Sequence, residues 1–487
     1  DLKTVHTLNK KSYGWTQCIS YKECQEELQI GKFYWRIGSY LAILYAMNAV
    51  DFHMQNLIAE GEYPILVDLE SLFHNNSTYT DTSAFSLAQE HIERSVLRIG
   101  LLPRKINSKA GFEGIDLSAL GAQEGQVSPH KTSTIVDRDK DTVRIEEKNF
   151  PIPVSQHRPM LHGQIINSVA YEGDIIKGFE ETYFLFMKYK QDMLEQIDSF
   201  KGVTVRQILR GTSRYANLLK ISLHPDFMRD GLDREMILDK LWLDTKLNPR
   251  LNQVVNSEKD DLFLGDIPYF TSKPESTNMW DSNGRKINNF FKTSALNETK
   301  EKINEMNESD CHEQVSFIKT AILVIKDSYR KHKVFDINPR LHVFNPKDFF
   351  QEAIKIGDFL ASRAIEGEQL DGQEDVSWIG SFVDNQREDQ FKISAANSSL
   401  YECVGGTSLF LAYLGRLSND EKYTKLSKKA LVAVHKNMSA SSDLGAFGGI
   451  ASYLYLLDHL SKLWNDEQLL KNELHSALNK LDSLIER

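Results

Sequence analysis

The stretch from Asp51 to Glu70 constrains this 487-residue chain more than any other part of it. A polar loop carries Asp51, His53 and Asn56. A turn follows at Glu60, Gly61 and Glu62, and the apolar run Tyr63 to Val67 leads to Asp68 and Glu70. Asn, Asp and Gly punctuate turns, and a short apolar run between such signals reads as a strand. The twelve residues from Asn56 to Asp68 suffice for a hairpin out and back, which predicts both ends of the stretch at one place. There, one carboxylate would face a nucleophilic hydroxyl while an amide oxygen and a second carboxylate held a hard cation. Phosphoryl transfer needs little beyond that, since it rests on positioning and charge neutralisation. Residue types alone also admit a bracing role for His53 and a solvated strand-end role for Glu70.

The five-residue step from Asp51 to Asn56 matches the catalytic loop of protein kinases, in which a later strand brings a second aspartate to the metal. A histidine two residues after the aspartate is shared with lipid kinases. DFHMQN (51–56) followed by PILVDLESLF (64–73) resembles the dehydratase domain of class II lanthipeptide synthetases of the LanM type, whose core resembles phosphoinositide lipid kinases. Asp68-Leu69-Glu70 stands where a kinase has Asp-Phe-Gly, a replacement typical of that family.

Composition narrows the alternatives. A net charge of −10, with no basic stripe interleaved with aromatics, argues against a general nucleic-acid binder. The first thirty residues lack a signal-peptide core, and the run Tyr40 to Val50 is too short to span a bilayer. Cys18, Cys24, Cys311 and Cys403 form no CxxC pair or disulfide-like framework, which fits a reducing, cytoplasmic setting. The chain starts at Asp1 without methionine, stops in mid-pattern at Arg487, and shows no glycine-rich phosphate loop or phosphate-binding lysine before Asp51. It therefore reads as a fragment whose small lobe precedes Asp1.

Along the chain, Tyr13-Gly14-Trp15 reads as a local anchor, and a similar YGW occurs in the family. Apolar periodicity predicts a buried helix over Phe33–Val50, with Arg36 as a structural ion-pair partner, and a further helix over Ser86–Ile99. Leu101–His162 offers only short β-like pieces such as Thr142–Glu146 and reads as a loop system over the site; His130, His157 and His162 receive no role. Helix resumes over Glu172–Phe200, with Phe179, Tyr183, Phe184 and Phe186 as a core stripe. In VTVRQILRGTSRYANLL (203–219), Arg206, Arg210, Thr212 and Arg214 fit either an anion site at a strand-to-helix junction or a charged, capped helix start. The resemblance selects the first: Arg206 and Thr212 match the pair with which these synthetases eliminate phosphate, and Arg210 and Tyr215 share the same pattern.

Residues 216–345 read as mainly helical, including Arg229–Leu243 and His312–Tyr329, interrupted by the family-typical GDIPYF at 265–270. Cys311-His312 looks like half a zinc site without a partner pair. From Pro346 the pattern becomes amphipathic helix pairs, and GGTSLFLAYLGRL at Gly405 recurs as GGIASYLYLLDHL at Gly448, a forty-three-residue period. This resembles the opening of the same family's α/α-toroid cyclase, with Cys403 where a glycine is usual.

The resemblance implies an α+β, mostly helical fold: a lipid-kinase-like dehydratase over 1–345 (N-terminally incomplete), then the start of a LanC-like cyclase over 346–487. It implies ATP- and Mg²⁺-dependent phosphorylation of Ser and Thr in a ribosomal precursor peptide (a leader plus a Ser/Thr/Cys-rich core), elimination of phosphate, and ring closure by a complete cyclase. Asp51 would act on the hydroxyl with His53 in support, Asn56 and Asp68 would bind metal, and Glu70 would assist at metal or phosphate. Arg206 and Thr212 would serve elimination. Zn²⁺ belongs only to the complete cyclase, whose ligands are absent from this sequence. Association with membrane export machinery is a further implication. Two other readings remain: a Ser/Thr or lipid kinase that stops at phosphate, and an inactive fragment that only binds the precursor.

Overall fold

A computed structural model describes all residues except 1, 11, 77–80, 107–114, 123, 124, 128–130, 138, 150, 153–155, 247, 330–344, 385, 386, 402, 441, 442, 486 and 487. The chain forms two compact units, residues 1–77 with 94–329 and residues 78–93 with 330–487. Helix dominates both.

The first unit is built on the helix Glu27–Ala46, whose buried residues run almost without a break from Phe33 to Ala46. It crosses the helix Glu172–Lys188 where two glycines let the backbones touch. A Cβ on Gly38 would lie 2.0 Å from the Ile175 carbonyl oxygen, and one on Gly178 would lie 1.9 Å from that of Trp35. The helix stops short of the expected Val50 because Asn48 and Asp51 take left-handed backbone, with φ of 51° and 69°. Arg36 is an ion-pair partner as expected: its Nη2 lies 3.1 Å from Glu62 Oε1, and its guanidinium covers the Tyr63 ring.

Elsewhere the structure trims the expected elements. Tyr13 and Trp15 lie on the hairpin Thr7–Lys10/Tyr13–Thr16 and are exposed, so that segment does not anchor itself in the core. The helix expected over Ser86–Ile99 ends at Arg94, because Ser95 accepts the Leu97 amide and starts a 3₁₀ turn over Val96–Ile99. Short hairpins make up the regular structure of residues 101–162 among those described, with Arg144–Lys148 paired to Thr132–Val136. His157 is buried, His162 sits in a turn with φ of 49°, and His130 lies outside the described residues. The helix expected over Glu172–Phe200 breaks at Tyr189; Phe179, Tyr183 and Phe186 are core, whereas Phe184 is exposed.

Residues 205–287 hold a four-stranded antiparallel sheet of Val205–Gln207, Phe270–Ser272, Met279–Trp280 and Lys286–Ile287. Strands of two or three residues are too short for alternation to register in a sequence pattern. Cys311, on the helix Glu308–Tyr329, is buried, and burial with the nearby Glu180 pushes its thiol up to about 12. Its neighbour His312 is exposed.

Among the described residues of the second unit's run from 330, the first helix is Pro346–Ser362, capped by the Asn345 side chain. Helix pairs do not follow at once. Two antiparallel hairpins intervene, Ile365–Glu368/Glu374–Ser377 and Ile379–Asp384/Arg387–Ala395. The segment 78–93 belongs here through Ala84 N–H, which donates to Asp375 Oδ1 at 2.9 Å. The helix pairs are Val404–Ser418/Glu421–Ala440 and Ile450–Trp464/Glu467–Ile485, packed around Leu411, Tyr423, Val434 and Leu457.

Their period differs from the glycine repeat. Gly405 lies inside its helix and Gly448 outside, whereas the caps Cys403 and Gly449, and the left-handed Asn419 and Asn465, are forty-six residues apart. Helix ends are set by capping backbone, so the recurring Asn-Asp at 419 and 465 marks the repeat better than the glycine pair. Among the described residues no helix is long and apolar enough to cross a membrane.

Candidate functional site

The hairpin expected after Asn56 is present. Leu57–Glu60 pairs with Tyr63–Leu66 around a turn at Gly61, whose φ is 59°. Its apolar residues Leu57, Ala59, Ile65 and Leu66 are buried, which fixes the register and returns the chain beside its start. Val67 N–H donates to Asn56 O at 3.1 Å, closing the base of the hairpin. Ser71 Oγ donates to Val50 O at 2.5 Å, tying the incoming and outgoing segments together.

Within the loop, Asp51 is a non-glycine residue in left-handed backbone, a conformation that costs roughly 1–2 kcal/mol and persists only where the surroundings enforce it. The enforcement is visible. Asn56 Nδ2 donates to Asp51 O at 2.8 Å, Phe52 N–H donates to Ile99 O at 2.8 Å, and Met54 N–H donates to Leu117 O at 2.9 Å. Phe52 and Met54 are buried, so alternate residues Asp51, His53 and Gln55 face outward. His53 Nδ1 accepts the Gln55 amide, and its Nε2 lies 3.9 Å from Asp51 Oδ1.

Asp68 and Glu70 follow the second strand. Asp68 Oδ1 accepts the Glu70 amide at 3.1 Å, which leaves its other oxygen without a hydrogen bond among the described residues. Asn56 likewise has its amide oxygen left for a ligand, because its nitrogen is committed to Asp51. One carboxylate and one amide oxygen fit Mg²⁺, which keeps most of its coordination shell for water and phosphate oxygens. They do not form an all-protein cage, and among the described residues no group of three or more His, Cys, Asp and Glu side chains is placed to hold a metal ion.

Arg206 arrives from the strand Val205–Gln207. Its amide donates to Glu70 O at 2.8 Å, and its Nη1 donates to Glu70 Oε1 at 2.5 Å. The guanidinium carbon also sits 5.3 Å from the centre of the Tyr269 ring. Four of the other six expected residues, His53, Asp68, Glu70 and Arg206, act on the Asp51 carboxyl. The Asp51 carboxyl is raised above the usual range, first by burial; His53 and Arg206 pull it down, and Asp68 and Glu70 push it up. For Arg206, burial works against the charge, but the Glu70 hydrogen bond and carboxylate outweigh it and raise the guanidinium.

Tyr269 is a site residue that sequence reading did not assign. Its phenol is raised by burial and by Glu70 and Asp68, against the pull of Arg206, which places it in the same field. The only sequence signal was its place in GDIPYF, next to the three-residue strand that pairs with that of Arg206.

Thr212 stands apart. It is the first residue of the helix Thr212–Ser222, it is exposed, and no hydrogen bond or ion pair of the described residues joins it to the cluster. The preceding Gly211 offers no side-chain cap; the Arg214 amide donates to Gly211 O at 2.9 Å, which leaves the Thr212 and Ser213 amides at the helix start for an anion. Arg210 is not available. Its Nε donates to Glu258 Oε1 at 2.7 Å and its Nη2 to Glu258 Oε2 at 3.1 Å, and it also pairs with Asp244. Tyr215 Oη donates to Glu258 Oε1 at 2.6 Å, completing a buried network.

Comparisons with known proteins agree on what these residues belong to. The family described as Domain of unknown function (DUF4135) matches residues 1–273, and the family described as Lanthionine synthetase C-like protein matches residues 394–487. The chain is also 26% identical over 447 residues to the Lacticin 481/lactococcin biosynthesis protein LcnDR2 of Lactococcus lactis subsp. lactis. That alignment covers 89% of this chain and 46% of the relative, so the chain spans about half the relative's length. The DUF4135 match takes in more than half of the chain and the whole Asp51–Arg206 site, with a lanthionine synthetase C-like stretch behind it: the chain belongs to the DUF4135 family and is a class II lanthipeptide synthetase sequence of the LanM type.

Proposed function

We propose that the Asp51–Arg206 site dehydrates Ser and Thr residues of a ribosomal lanthipeptide precursor, first by phosphorylating the hydroxyl with ATP and then by expelling the phosphate. The observation that supports this reading best is the convergence of Asp51, Asp68 and Glu70 with Arg206. The carboxylates serve a hydroxyl nucleophile, the arginine serves a phosphate, and both lie in one field.

Asp51 orients the hydroxyl and takes its proton, a task helped by a carboxyl held above the usual range. His53, beside it, supports the loop and the developing charge. Asn56 and Asp68 would hold Mg²⁺, which when bound neutralises the phosphate oxygens and aligns the transferring group. In the second half-reaction a general base takes the α proton, the C–H electron pair forms the C=C bond, and the C–O bond breaks with its electron pair leaving on phosphate. Arg206 grips the departing phosphate. It does so by exchanging its Glu70 partner for phosphate oxygens, with Glu70 kept adjacent to metal or phosphate. Thr212 and the uncapped helix start assist from the other end of the Arg206–Thr212 segment.

The core that carries this chemistry is proposed to be lipid-kinase-like, within a dehydratase domain spanning 1–345. Residues 346–487 are proposed to belong to a cyclase domain that adds cysteine thiols to the dehydrated residues. Intact mass of a precursor peptide co-expressed with the protein tests the proposal: loss of one water per modified Ser or Thr supports it, and stable gain of phosphate reduces the site to a kinase.

A further inference from the structure

The strand that carries Arg206 has two edges. Successive N–H groups of an extended segment alternate between them. One edge of Val205–Gln207 pairs with Phe270–Ser272. Along the other, the Arg206 amide goes to Glu70 O at 2.8 Å, and the next amide on that edge, Ile208, goes to His74 Nε2 at 3.1 Å. A side chain thus takes the place of a backbone carbonyl as the second rung of a two-rung ladder.

The tautomer follows from the partners. A backbone N–H only donates, so His74 Nε2 is the acceptor and the ring proton sits on Nδ1, which donates to Asn75 O at 3.0 Å. Arg98 Nη2 lies 3.4 Å from that same nitrogen and acts there through its charge. Burial and this arginine push the imidazole down to about 4, so the ring stays neutral near pH 7 and keeps its acceptor.

His74 is itself held in place. Phe73 has left-handed backbone with φ of 54°, its amide donates to Met47 O at 3.0 Å, and its ring is buried against Phe200. The His74 amide donates to Asn48 O at 3.2 Å. Asn75 Nδ2 donates to Thr293 O at 3.0 Å, and Glu298 Oε2 accepts the Asn76 amide at 2.9 Å. The segment after Glu70 is therefore tied to the end of the helix Glu27–Ala46, and through His74 it carries the Arg206 strand.

We propose that His74 is a positioning residue for the candidate site. By accepting the Ile208 amide it fixes the register and distance of Arg206 against Asp68 and Glu70, so that one phosphate can be shared between the two sides. The consequence for catalysis rests on the dehydratase reading; the structural role does not.

The test uses His74→Leu, which fills the space without an acceptor, and His74→Gln, which returns an acceptor near the Nε2 position. Amide hydrogen exchange across residues 205–210 needs no substrate and reads the ladder directly. His74→Leu is expected to speed exchange at Ile208 and Arg206 about tenfold while the helix Glu27–Ala46 is unchanged, and His74→Gln to restore it to within about twofold. With a precursor peptide, His74→Leu is expected to lower the turnover of phosphate elimination about tenfold, to leave KM within about twofold, and to leave phosphopeptide behind. Native exchange at Ile208 in folded His74→Leu overturns the proposal. Should the leucine variant fail to fold, His74→Gln decides: protected Ile208 supports the ladder, and loop-like exchange overturns it. If exchange responds as expected but the unsubstituted protein never phosphorylates peptide, the dehydratase reading falls and the positioning role stands.

Discussion

Two arginines four residues apart are held in opposite ways. The Arg210 side chain is 3% exposed and is gripped by both oxygens of Glu258, itself 0% exposed, with Asp244 and Tyr215 closing the network. Arg206 is 22% exposed, and its carboxylate partner Glu70 is 37% exposed, with Tyr269 across its face. The first arrangement leaves no donor geometry for a substrate and is costly to break. The second is an ion pair of modest strength that a phosphate can enter. The two arginines are separated by how completely their partners are buried, a property that residue type does not carry, and the proposed phosphate role falls to the one held by the exposed partner.

Breaking the contrast at its strong end has the largest expected effect. Arg210→Ala leaves Glu258 charged and buried, and should cost about 3–5 kcal/mol in denaturant unfolding. Gly178→Ala forces a Cβ to within 1.9 Å of Trp35 O and should likewise destabilise the first unit, by about 3 kcal/mol in the same assay.

Acid sharpens the comparison from the side of the Arg206 strand. The folded-state value of His74 lies below its ordinary 6.5, at about 4, so the folded protein binds fewer protons than the unfolded chain between these limits. Stability is therefore full above about pH 6.5, falls as pH drops toward 4, and levels off below, with a total near 3 kcal/mol. His74→Gln should remove that component from the stability profile.

At the weak end, Arg206→Ala should change stability by less than about 1 kcal/mol, since its partner is more than a third exposed, while abolishing phosphate elimination. Thr212→Ala should shift stability by less than about 0.5 kcal/mol and also leave phosphopeptide, read by peptide mass. A stability loss for Arg206→Ala as large as that for Arg210→Ala would erase the distinction.

How much of this was legible in the sequence follows the range of the forces involved. The Asp51–Glu70 hairpin was readable because its turn chemistry and apolar runs are local. The helices were readable in kind but not at their ends, which Asn48, Ser95 and Tyr189 set through backbone conformation and capping. The sheet joining Arg206 to Tyr269 was not legible, since strands of two or three residues bring together positions more than sixty apart. Tyr269 was missed for that reason, and His74 because its partner, the Ile208 amide, is 134 residues away. Arg210 could not be told from Arg206, because Glu258 is forty-eight residues away and nothing local announces it. The helical repeat was seen at forty-three residues rather than forty-six because the glycine pair is conspicuous and the capping Asn-Asp is not.

The most direct test of the shared-site account is the intact mass of a precursor peptide co-expressed with the protein carrying Arg206→Ala, alongside the unsubstituted protein. The account predicts water loss at Ser and Thr with the unsubstituted protein and retained phosphate with the variant. Unmodified peptide from a folded Arg206→Ala variant would contradict it, because Arg206 would then be needed before any phosphate is present to be eliminated.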